Sequence, residues 1–239
     1  MIFSTKKLSS NHNLQQISIQ LQLDNKALEK VQNTSLLGTV IDEHLTWNKH
    51  IKSILSSCYS KLSVLRKLNN MTTFKLRKQL NKSLVFSKIN FNDVVYAPLT
   101  QTQLRKIQRL QLSACSFVFG RYVKMESVPK LTWLPIAQRR KFHVLKTAFK
   151  AITDVSWPTL NRIDERLSIR NLRNSCDRRI SPSLCKGTLQ DQTSSAFNNL
   201  PVKIRNAEDL SSFCKMCKQH RLLLRSLSND VTADGTKNS

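Results

Sequence analysis

Ile17-Ser18-Ile19-Gln20-Leu21-Gln22-Leu23 alternates apolar and polar side chains with a period of two. That is the pattern of a strand with one face buried. Asp24-Asn25 follows as a turn, and Lys26 to Val31 and Leu36 to Ile41 can form two more short strands, with Gly38 permitting close backbone approach. From Thr46 the period changes. Ile51, Ile54, Leu55, Cys58, Leu62 and Leu65 recur at three-and-four spacing, which predicts a helix from Trp47, N-capped by Thr46 and ending at Asn69-Asn70. Thr72 or Thr73 can cap a second helix, which carries Leu76, Leu80, Leu84 and Ile89 to about Phe91. A third spans Gln103 to Phe119, with Leu104, Ile107, Leu110, Ala114 and Phe117 inward and Gly120 as its C-cap. Pro135 suits the first turn of a fourth, whose apolar face is Phe142, Leu145, Ala148, Phe149 and Ile152.

Beyond these the pattern weakens. Trp157-Pro158 begins another short piece, and residues 166–195 have no firm period, so they read as a linker or loosely ordered segment. A last helix is expected from Asp209 to Leu227, with Leu210, Phe213, Cys217, Leu222 and Leu224 for packing, before a polar, disordered tail at 228–239. The fold class that follows is mainly α: a small N-terminal antiparallel β-hairpin or sheet over 1–45, then a helical bundle. Only 4 Gly and 6 Pro interrupt the 239 residues, which agrees with that class. No apolar run reaches the ~18 residues of a membrane span, and Met1 to Lys7 lacks the apolar stretch of a secretory leader. The expected compartment is therefore nuclear or cytoplasmic. The six cysteines (58, 115, 176, 185, 214 and 217) are then read as reduced thiols.

Charge changes the picture most. Lys and Arg number 39 against 15 Asp and Glu, a formal net charge of +24. Between His44 and Met125 the only acid is Asp93, among fifteen Lys and Arg. A solvated helical face mixes signs; this one does not. Such a polycation repels itself until a polyanion neutralises it, so nucleic acid is the first partner to consider and an anionic membrane surface the second.

Bond-making chemistry is poorly provided for. Two-metal polymerases and nucleases need converging carboxylates. Asp42-Glu43, Asp164-Glu165 and Glu208-Asp209 are the pairs available. Adjacent strand residues point to opposite faces, and Glu208-Asp209 reads as a helix cap. Cys214-Lys215-Met216-Cys217-Lys218-Gln219-His220 has C-x2-C spacing, but lacks the second ligand pair of a zinc site and reads as core helix. His12, His44, His50 and His143 read as surface or capping residues, and Trp47, Trp133 and Trp157 as packing anchors. There is no Gly-rich phosphate loop, G-x-S-x-G or H-E-x-x-H.

Four blocks resemble a known family. Leu36-Leu37-Gly38-Thr39-Val40-Ile41-Asp42-Glu43-His44-Leu45-Thr46-Trp47-Asn48-Lys49-His50-Ile51 is similar to the "Y-L-G-V-x-I-D-x-x-L-T-W-x-x-H-I" block of non-LTR (LINE-type, jockey-like) retrotransposon reverse transcriptases. Leu131-Thr132-Trp133-Leu134-Pro135-Ile136 through Arg139-Arg140 is similar to their "L-x-W-L-P-I-x-x-R" block. Leu104 to Gln111 resembles the "L-x-x-L-Q-x-x-x-x-R" helix between them. Ala196-Phe197-Asn198-Asn199-Leu200-Pro201 to Arg205, with Leu210 to Cys214, resembles "W-N-x-L-P-x-x-I-R … L-x-x-F-K"; Phe197 stands where the family has Trp.

The resemblance implies a C-terminal fragment of such an RNA-directed DNA polymerase. Residues 1–45 would be the end of the palm and its primer-grip hairpin, 46–165 a basic, thumb-like helical region, and 196–227 a C-terminal helical region. The family's aspartate pair lies before the block aligned with Met1, so no catalytic residue carries over. The chain is expected to act without a cofactor, as a non-catalytic unit gripping an RNA or RNA/DNA duplex. Lys49, Lys52, Lys61, Arg66, Lys67, Lys75, Arg77 and Lys78 are its expected phosphate contacts. Two alternatives stand beside it: part of an active polymerase completed by a palm from elsewhere, and a co-opted protein-interaction scaffold.

Overall fold

The computed structural model describes residues 22–24, 26–27, 31–96, 99–154, 178–181 and 189–220. Most of the Ile17–Leu23 strand pattern, Trp157-Pro158, Asp164-Glu165, Cys176, Cys185 and the 228–239 tail lie outside them. The protein is mainly helical, with eight α-helices among the described residues and small antiparallel pairing before them. It divides into two compact units, Met1–Ile89 with Gln101–Arg121, and Asn90–Thr100 with Tyr122–Ser239.

In the first unit, β1 (Gln22–Leu23) pairs with β2 (Lys26–Ala27) across the expected Asp24-Asn25 turn. Strands β3 (Asn33–Leu36) and β4 (Thr39–Asp42) form a second hairpin, with Leu36 opposite Thr39. The expected strand from Leu36 to Ile41 is thus broken at its second residue. Leu37 and Gly38 are the two loop residues, with φ of 47° and 77°. Positive φ at both positions is the turn geometry that matches strand twist, and Gly38 adopts it without a Cβ penalty.

Helix α1 (Asn48–Lys67) buries His50, Ile51, Ile54, Cys58, Leu62 and Leu65. Thr46 stands one residue before the cap position, its hydroxyl accepting from Asn48 N–H at 3.5 Å. Trp47 takes the cap position at φ 62°, with no side-chain cap bond. The cap comes from the preceding strand: Asp42 accepts from the backbone N–H groups of His44 (3.2 Å), Thr46 (3.0 Å) and Trp47 (3.0 Å), and from the Thr46 hydroxyl (3.1 Å).

Thr73 caps α2 (Phe74–Leu80), its hydroxyl accepting from Leu76 N–H. The helical path then widens into a π-helical segment, Asn81–Phe86, before α3 (Ser87–Asn90). This corrects the Leu76-Leu80-Leu84 face. A π turn holds more residues than an α turn, so the inward positions slip along the chain. Asn81, Val85, Phe86 and Ile89 are buried, while Leu76 and Leu84 are exposed. The wide turn frees carbonyls, and α1 answers them: Cys58 Sγ meets Val85 O (3.8 Å) and Lys61 Nζ donates to Leu84 O (3.2 Å). Helix α4 (Gln101–Phe119) completes this core with Ile107, Leu110, Ala114, Cys115, Phe117 and Val118.

The second unit is built on α5 (Ile136–Thr153), α6 (Leu189–Asn198), α7 (Val202–Arg205) and α8 (Leu210–Gln219). Phe142, Leu145, Ala148, Phe149, Phe197, Leu200, Ile204, Phe213 and Cys217 form its core. Phe213 stacks on Phe149 at 4.3 Å and lies 6.2 Å from Phe197. The 166–195 linker expectation fails where the structure describes it. Residues from Leu189 are helical, and Ile180 is fully buried. Asn198 accepts from Ile180 N–H (3.0 Å) and donates to its carbonyl (2.9 Å), and Asn206 accepts from Arg178 N–H (3.1 Å). One apolar side chain and two amides fix a segment whose polar composition carries no period.

Candidate nucleic-acid interface

At 100° per residue, Lys49, Lys52 and Lys67 fall on the side of α1 opposite its buried stripe. All three are exposed, as is Lys75 on α2. Each is without a hydrogen bond or ion pair to the described residues. Lys52 and Lys67 are fifteen positions apart in α1, about 22 Å along the axis, the reach of about six to seven phosphates on one strand.

The other expected contacts are placed differently. Arg66 sits on the flank of α1 and donates to Ser113 Oγ of α4 at 2.6 Å. Lys61 is on the opposite flank, half-buried and bonded to the π segment. Arg77 is half-buried and structural: its Nη1 donates to Asn69 Oδ1 (2.7 Å) and to Phe117 O (3.3 Å). Lys78 is half-buried on α2. Five of the eight are therefore exposed, Arg66 among them with one bond to α4, and Lys61, Arg77 and Lys78 are half-buried.

Tyr59 belongs to the same side of α1 as Lys52. It lies between Lys52 and Arg66 around α1 and is 40% exposed. Burial raises its phenol above the usual value, while Arg109 and Arg66 pull it back. An aromatic ring set among cations gives this face a surface for base stacking as well as for phosphate. In the sequence Tyr59 is marked only by its phase, off the apolar stripe of α1.

The carboxylates and thiols have other tasks. Burial alone would raise Asp42, but its hydrogen bonds from Thr46, His44 and Trp47 outweigh that and hold the carboxyl below its usual value. Both its oxygens serve the α1 cap. Glu43 lies 3.6 Å from His44, and Asp209 caps α8 by accepting from Ser212 N–H at 2.6 Å. Cys217 is in the second core, where burial pushes its thiol up to about 12; Cys214 is half-buried one turn away.

Two histidines depart from the surface reading. His50 is buried, and its Nδ1 accepts from Val40 N–H at 3.3 Å, tying the hairpin to α1. His143 Nδ1 meets Asp93 Oδ2 at 2.6 Å. Trp47 and Trp133 are buried anchors, as expected.

Set against protein-family models, curated proteins and solved structures, the chain matches none. Among the described residues, no helix is long and apolar enough to cross a membrane.

Proposed function

We propose that this chain is a nucleic-acid-binding unit derived from the RNA-directed DNA polymerase of a non-LTR retrotransposon, gripping an RNA or RNA/DNA duplex by its backbone and making no bonds itself. The observation that carries the reading is the outward face of α1 and α2. Lys49, Lys52, Lys67 and Lys75 are exposed with no carboxylate partner among the described residues. Lysines so placed displace counterions from phosphates, which gives tight, sequence-tolerant and salt-sensitive binding. The resemblance of the four sequence blocks supplies the polymerase origin. The engagement of Asp42 and Asp209 in helix caps favours binding over metal-assisted catalysis.

One observation favours a protein partner as well. Leu36 and Leu37, at the tip of the second hairpin, are 59% and 84% exposed. By the resemblance this hairpin packs on a palm, and alone it leaves an apolar tip in water.

Fluorescence anisotropy with a labelled RNA/DNA hybrid tests the reading. Affinity should fall by at least about a hundredfold between about 50 and about 300 mM salt, with little dependence on base sequence. Binding unchanged over that range contradicts it. Nucleotide incorporation by the purified chain alone contradicts the non-catalytic part.

A further inference from the structure

The C-terminal ends of α1 and α4 border an open cavity of about 240 Å³ lined by Arg66, Asn69, Ser116, Phe117, Gly120 and Arg121. It is smaller than the ~300–1,000 Å³ of drug-sized ligand sites. Its lining has two guanidinium groups, an amide and a hydroxyl, and no carboxylate. A third guanidinium lies against it: Arg77 Nη1 would be 3.1 Å from a Cβ added at Gly120.

Helix C-termini attract cations, so the first question is whether the arginines merely offset two helix ends. Each end carries about half a negative charge, roughly one unit for both. Arg66, Arg77 and Arg121 bring three positive charges. One carbonyl of the last turn of α4, that of Phe117, already accepts from Arg77 Nη1 (3.3 Å) and Gly120 N–H (3.3 Å). Arg66 is held by a single bond to Ser113, through one of its five N–H groups. Arg121 is exposed and makes no hydrogen bond or ion pair with the described residues. The cavity keeps a surplus of positive charge and of N–H donors not used by the described residues.

We propose that this cavity is a phosphate-binding subsite, in which Arg66 and Arg121 grip one phosphate group while Asn69 and Ser116 supply neutral hydrogen-bonding groups. The proposal rests on the nucleic-acid reading above and adds one defined phosphate position to it. A planar guanidinium matches phosphate oxygens with paired N–H donors, which a lysine cannot do. The phosphate can belong to a nucleic-acid backbone or to a free phosphate compound, and two assays separate these sources.

The full chain, Arg121→Gln, Arg66→Gln and, as a control, Lys130→Gln are compared. Lys130 is exposed and lies in the second unit. Hybrid binding is followed by anisotropy across a salt series, and inorganic phosphate binding by calorimetry. Each arginine variant should lower the slope of log K against log salt by about 1 and weaken hybrid binding about tenfold near ~0.1 M salt. Lys130→Gln should match the parent chain. Arg66→Gln also loses the Ser113 bond; Arg121→Gln loses no bond to the described residues, so it keeps the test independent of folding.

Hybrid binding that neither arginine variant changes, with no phosphate heat, overturns the subsite and leaves the nucleic-acid reading standing. Arginine-dependent phosphate heat without hybrid binding supports the subsite for a free phosphate compound and overturns the nucleic-acid reading. Loss of both signals in the parent chain overturns both.

Discussion

The two units bury positive charge to different depths; in the first, the bracing cations Lys61 and Arg77 are only half-buried. In the second unit, Arg139, Arg140 and Arg205 are buried. Arg140 donates to Asp93 O (2.9 Å) and Tyr96 O (2.6 Å), and its guanidinium lies 4.6 Å from the Tyr96 ring centroid. Burial holds that guanidinium below its usual pKa, while Tyr96 and Asp93 oppose the shift. Arg205 donates to Asn198 O (2.5 Å) and Leu200 O (2.8 Å). These arginines act as internal braces for helix ends and turns. In the first unit, Lys49, Lys52, Lys67 and Lys75 face outward and brace nothing among the described residues. A net charge of +24 is thus a sum over two populations, and only one of them bears on a polyanionic partner.

The sharpest way to break this contrast is to remove a brace. Arg140→Ala strips two carbonyls of a charged donor in a buried site. It should destabilise the protein by about 3 kcal/mol, read as a lower urea midpoint. A change under about 0.5 kcal/mol would place Arg140 with the surface lysines instead.

Asn198→Ala should cost about 2 kcal/mol, because it leaves both backbone groups of buried Ile180 without their partner. A variant as stable as the parent would mean that the 178–181 segment adds nothing to the second core.

Asp42 sharpens the contrast from the acidic side, as the carboxylate that fixes the start of the cationic helix. Its hydrogen bonds from Thr46, His44 and Trp47 hold its folded pKa below the ordinary carboxylate value. The stability it contributes is therefore present above its unfolded pKa and is lost as pH falls through the lower folded value. Unfolding midpoints of the parent chain should drop, as pH falls below the ordinary carboxylate range, by more than those of Asp42→Asn. Parallel profiles would show that the cap bonds do not favour the charged form.

The helices were legible because their apolar stripes repeat: Ile51 to Leu65 and Ile107 to Phe117 are buried as their spacing predicts. What escaped the sequence is non-periodic. The π segment at Asn81–Phe86 rests on particular contacts: Cys58 and Lys61 on α1 meet its carbonyls, and Asn81 donates to Arg77 O (3.2 Å) and Ala114 O (3.4 Å). Ile180 in a polar stretch and Asp42 as a remote cap depend on contacts that spacing does not encode. For the proposed interface, the sequence marks a basic region and no more. It could not separate Arg77, which reaches across to Asn69 and Phe117, from Lys75 two residues earlier, which stays outside. Tyr59 and Arg121 became candidates only once their surroundings were visible.

The most direct measurement compares the parent chain with a variant carrying Lys49→Gln, Lys52→Gln, Lys67→Gln and Lys75→Gln, reading the slope of log K against log salt for an RNA/DNA hybrid. Four lost phosphate contacts should reduce that slope by about 3 to 4, with the unfolding midpoint nearly unchanged. Equal slopes in two equally folded proteins would contradict the assignment of these lysines to a phosphate backbone.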